Sequence, residues 1–157
     1  MKIIPTLEGG LRIDTEDTAD WALLHHIAYD AISCEDSLSN RLGGLVIDPD
    51  VEDDWREFVL PDLDQQFSSA LVNVTNTIKT AEVDLSEGVG VLWITKEDGM
   101  DWFSALNQAR LALEEQYQLG NSADIEPEDL APEERSAFLR SQFYSAIQGL
   151  LLEHVMD

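Results

Sequence analysis

Apolar and polar positions along this chain fall into two periodicities. At the start, "KIIPTLEGGLRID" places apolar residues on both sides of Gly9-Gly10, which predicts a β-hairpin. Pro5 cannot donate to a ladder, so the first strand belongs at an edge. Thr15 is expected to cap a helix, with Glu16 and Asp17 in its first turn. That helix, "EDTADWALLHHIAYDAISCEDS", has an inward arc centred on Trp21, Leu24, Ala28 and Ile32. Leu23, Ile27, Ala31 and Cys34 form one flank of it. "LSNRLGGLVIDPDV" has the Gly, Asn and Pro content of a loop.

A short helix, "VEDDWREFV", comes next. Pro61 is then expected in the first turn of a longer one, whose apolar positions are Leu63, Phe67, Ala70, Leu71, Val74 and Ile78. "GVGVLWIT" is a β-branched apolar run and reads as a strand. Thr95 and Asp98 fit a capping box for a helix from Lys96, with Gly120 expected at its C-terminal cap. Pro132 opens a final helix. The predicted fold is mainly α (α+β): a bundle of about four to five helices with a small antiparallel sheet. The N-terminal hairpin and the central strand supply that sheet. Residues 1–157 have the length of one acidic globular domain.

Charge changes this picture most. The chain has 32 Asp+Glu against 9 Lys+Arg, a formal net charge of -23. Its nine cations are scattered, whereas phosphate backbones and anionic membranes call for clustered Lys and Arg. Direct nucleic-acid and membrane binding are therefore not expected. A protein partner with a basic surface is, because long-range fields steer association. An acidic surface also serves solubility alone. There is no apolar run of about 18 residues to span a bilayer, and "MKIIPTLEGG" does not read as a secretory signal. One cysteine, Cys34, cannot form an internal disulfide, so the expected compartment is cytoplasmic.

Candidate chemistry is sparse. The helix from Lys96 turns Trp102, Ala105, Leu106, Ala109, Leu113 and Tyr117 inward, and Arg110 falls inside the same arc. A buried guanidinium needs a carboxylate or several carbonyl oxygens. The expected role of Arg110 is a strut to an acidic residue on a neighbouring helix, with Asn107 adding hydrogen bonds. The alternative is a small-anion-binding or enzymatic site built on Arg110 and Asn107. Cys34 is expected as a small buried hydrophobe, or as a redox thiol, with Glu35 and Asp36 beside it disfavouring the thiolate. His26 and Asp30 stand four apart on what reads as the polar face of their helix, too few ligands for a metal site. "DPDVEDD" lacks the glycine and terminal glutamate of a calcium loop. No catalytic motif, cofactor motif or metal motif is present.

The order of features resembles an actinobacterial family first catalogued as a domain of unknown function, with members labelled AosR-type oxidative-stress transcriptional regulators. The hairpin, "DVEDDWREFV" before a long helix, the apolar strand, "DWFSALNQARLAL" and the closing "YSAIQGLLLEHV" carry the resemblance. Trp102, Asn107, Arg110 and Leu111 match the family's Trp…Leu-Asn…Arg-Leu helix. The resemblance implies a cytoplasmic protein that influences transcription under oxidative stress through protein partners, an alternative sigma factor among them. With a single cysteine, redox sensing here would have to use an intermolecular disulfide or a sulfenic acid at Cys34. A homodimer through the apolar edge of the last helix is a further expectation.

Overall fold

A computed structural model describes residues 1–45, 48–120 and 122–156. The chain is mainly helical with one small antiparallel sheet. Strands β1 (Lys2–Pro5) and β2 (Leu11–Thr15) form the hairpin, and β4 (Val89–Ile94) pairs with β2 as its sequence predicted. A fourth strand, β3 (Glu82–Asp84), has only three residues. It gave no alternation to read, and it extends the sheet to the order β1-β2-β4-β3. Pro5 lies on the outer strand, where its missing N–H costs no ladder bond. Gly9 supplies the positive φ of the hairpin turn, at 87°. Gly88 does the same between β3 and β4, at 74°. A Cβ on Gly88 would stand 2.4 Å from the backbone of Asp17, so the turn is pressed against the start of the first helix.

That helix, α1, is Thr18–Ala31. Asp17 caps it, accepting from the Asp20 N–H. Thr15 is still in β2, buried, with its hydroxyl on Gly90 O, so the expected cap lies two residues too early. α1 ends at Ala31, and Ile32, expected in the core, is 70% exposed. The predicted loop after Ser37 holds a short helix instead, α2 (Leu38–Gly43), capped by the Ser37 hydroxyl. Residues 46 and 47, in the same predicted loop, lie outside the described residues.

The two helices expected around Pro61 are joined. α3 (Pro49–Asp54) passes through a π-helical turn, Trp55–Val59, directly into α4 (Leu60–Lys79). Leu60 N–H reaches back five residues to Trp55 O. Pro61 has no N–H for the next α-helical bond, and the wider turn falls immediately before it.

α5 (Gly99–Tyr117) is the central helix and packs against α1, α4 and α6 (Pro132–His154). Trp102, Ala105, Leu106, Ala109, Ala112 and Leu113 are fully buried along it. They meet Leu24 and Ile27 of α1, Val74 and Ile78 of α4, and Tyr144, Ile147 and Leu151 of α6 in one core. The inner face of the sheet closes that core with Leu11, Ile13, Leu92 and Ile94. Thr95 and Asp98 do hydrogen-bond one another, but in a turn before the helix, which starts at Gly99. Gln118, at φ 49°, is the left-handed cap of α5 in place of the expected Gly120. No helix among the described residues is long and apolar enough to cross a membrane.

Candidate functional site

Two arginines tie α6 to its neighbours, Arg140 to α1 and Arg110 to α5, and they are treated in opposite ways. Arg140 projects from α6 along the arc that also buries Ala137, Tyr144, Ile147 and Leu151. Its guanidinium straddles Asp30 of α1: Nε donates to Oδ2 at 2.8 Å and Nη2 to Oδ1 at 3.1 Å. Tyr144 donates its hydroxyl to the same Oδ2 at 2.6 Å, and Arg140 Nη1 donates to Ser136 Oγ at 2.7 Å. Both side chains of the ion pair are nearly sealed, at 15% and 8% exposure. Burial pushes the Tyr144 hydroxyl far above the usual tyrosine range, and the hydrogen bond to the Asp30 carboxylate adds to the rise. For Arg140, burial acts to release the proton, but the Asp30 hydrogen bond and charge outweigh it and hold the guanidinium above its ordinary value.

This cluster corrects the expectation for Asp30. It does not sit on the polar face beside His26; it is buried and committed to Arg140. His26 is exposed and leans on Tyr29. Among the described residues, no three His, Cys, Asp or Glu side chains are grouped so as to hold a metal.

Arg110, the residue expected as the strut, pairs with no carboxylate among the described residues. Its Nη1 donates at 2.6 Å to the neutral amide oxygen of Gln148 on α6. Gln148 is itself buried, and its Nε2 donates to Phe103 O at 3.2 Å, which fixes the amide. Arg110 Nε is buried with no partner among the described residues. Arg110 thus ties α5 to α6, as a strut would, but through an amide rather than an acid. The guanidinium is half-buried and lines a cleft of about 310 Å³ with Glu114, Leu119, Gly120, Phe138, Ser141, Gln142 and Ser145. Asn107, expected to share its work, does not line that cleft. The neighbouring Gln108 is the amide that matters for packing, donating to Phe67 O of α4 at 3.2 Å.

Of the other family-motif positions, Trp102 is fully buried in the core and Leu111 is 37% exposed. Cys34, expected buried on the flank of the first helix, lies beyond the end of α1 and is only half-buried, with its Sγ 3.5 Å from Ala112 O. It lines a separate cavity of about 210 Å³ with Glu35, Asp36, Asp64 and Gln108.

A third feature lies along α3 and the π turn. Residues 48–64 carry eight Asp and Glu against one basic residue, Arg56, which pairs with Glu52. Two large apolar side chains stand out from this acidic surface, Val51 at 47% and Phe58 at 66% exposure.

Fold and site together define a small acidic α+β domain in which a central helix is clamped by three others over a four-stranded sheet. The chain belongs to the family described as a domain of unknown function, DUF2017, whose pattern matches residues 39–155. No curated protein and no solved structure matches it. The matched span begins after α1, so the Asp30–Arg140 pair links a segment outside it to a helix inside it.

Proposed function

We propose that this is a cytoplasmic regulatory protein that works by protein–protein contact, its acidic surface meeting a basic face on its partner. The observation that carries the reading is the acidic stretch 48–64 with Phe58 and Val51 exposed upon it. Opposite charge accelerates and orients an encounter, and exposed aromatic side chains supply the desolvated anchor that charge alone does not. The π turn sets Phe58 within that stretch, and such turns recur at functional sites. Direct contact with DNA is disfavoured by the net charge of -23. The resemblance to oxidative-stress regulators makes a transcription-associated protein, such as a sigma factor, the partner to test first.

The test is retention of a purified basic partner, beginning with the alternative sigma factors of the source organism, on the immobilised full chain. Binding should weaken steeply as salt rises and should fall further for Phe58→Ser. Binding that ignores both salt and Phe58 would sink the reading. Repeating the titration after peroxide treatment, with Cys34→Ser alongside, shows whether the thiol takes part.

A further inference from the structure

The Arg110 cleft supports a ligand site separate from the acidic docking surface. In a chain with 32 carboxylates, an acid opposite an inward arginine would be easy to supply, and Arg140 has one. Arg110 instead receives Gln148, an amide locked by its own bond to Phe103 O. A neutral partner orients the guanidinium without cancelling its charge. Nε is buried with no partner among the described residues, so it senses the guanidinium's setting rather than facing the cleft.

The opposite wall adds unused groups. Ser141 and Ser145 lie one helical turn apart on α6, both half-buried and both lining the cleft. Among the described residues, neither hydroxyl has a hydrogen-bond partner in the chain. Phe138 and Leu119 supply apolar surface. Glu114 stands at the rim, with Oε1 accepting from the Gly120 N–H at 3.1 Å. It does not reach Arg110: among the described residues no carboxylate lies within 4.0 Å of that guanidinium.

These groups discriminate among ligands. Arg110 calls for a carboxylate or phosphate, and a fork of N–H donors suits either. Glu114 repels a dianion and attracts an ammonium. A cleft of about 310 Å³ is at the small end of ligand pockets. We infer that the cleft between α5 and α6 binds a zwitterion of amino-acid size, its carboxylate on Arg110, its ammonium toward Glu114, and its side chain against Phe138 and Leu119.

The experiment uses the full chain with 15N-labelled arginine. The Arg110 Nε–H resonance, assigned by its absence from Arg110→Met, is followed through titration with L-alanine, L-leucine, acetate, methylammonium and inorganic phosphate in turn, at constant ionic strength. Both amino acids should move it saturably in the millimolar range, L-leucine the more tightly. Acetate should bind on the order of tenfold more weakly, and methylammonium and phosphate should leave the resonance in place. Glu114→Gln should bring L-leucine down to the level of acetate. Ser145→Ala, which leaves the core untouched, should weaken L-leucine binding severalfold. Unchanged amino-acid binding in Glu114→Gln would overturn the zwitterion assignment. So would saturation by phosphate alone, or no saturable shift with either amino acid.

Discussion

Arg140 and Arg110 are two cations that each tie α6 to another helix, with opposite fates. Arg140 meets a carboxylate and a tyrosine hydroxyl across the core and is nearly sealed by them. Arg110 meets an amide and keeps one face in an open cleft. The first arrangement satisfies every charge internally and can do little except hold α1 to α6. The second holds α5 to α6 with a single hydrogen bond and leaves charge available to the outside. A buried ion pair is strongly destabilised when one member is removed, whereas a charge bound only to an amide leaves a neutral group behind.

The largest effect should come from breaking the sealed pair. Asp30→Ala leaves the Arg140 guanidinium and the Tyr144 hydroxyl unpaired, and should lower stability by about 3–5 kcal/mol in urea unfolding. A loss below that of Arg110→Met would overturn the contrast. Next comes pH. Tyr144 has its folded-state ionisation raised, so its contribution is complete below the unfolded tyrosine value of about 10 and is lost as pH rises beyond it. Above that pH the unfolded chain gives up a proton that the folded chain keeps. Stability should then fall by about 1.4 kcal/mol per pH unit from this group. Tyr144→Phe should cost about 1–2 kcal/mol at neutral pH and remove that part of the alkaline slope. Parallel alkaline slopes in the two proteins would refute the assignment.

Smaller effects belong to the open arginine. Arg110→Met should change stability by less than about 1 kcal/mol, because a packed apolar chain replaces a poorly satisfied cation. The subtlest change is Gln148→Glu, which gives Arg110 the acid it lacks. It should leave the melting temperature within a few degrees while abolishing any response of the Arg110 Nε–H to L-leucine. Retained binding in that variant would mean that the neutral amide is incidental.

Much of the fold was legible because burial has a period. The inward arc of α5 falls where its spacing predicts, and β2 and β4 pair as their alternation requires. Three-residue β3 and six-residue α2 were missed because elements that short show no period. The continuity of α3 with α4 was hidden by Pro61, which normally marks a helix start; a π turn accommodates it instead. The site was half legible. The reasoning that singled out Arg110 from its arc applies equally to Arg140, spaced with Ala137, Tyr144 and Ile147. Asp30 was not readable from α1 alone, since only Arg140, 110 residues away, makes its burial tolerable.

That separation also orders events during synthesis. Translation at about 5–20 residues per second delivers Arg140 on the order of 10 s after Asp30. Throughout that interval the nascent carboxylate stays hydrated, and until residues 99–117 are made the apolar side of α1 also lacks α5. Pairing of Asp30 therefore waits on the last helix, and a ribosome paused before α6 holds a chain whose Asp30 has not yet met Arg140.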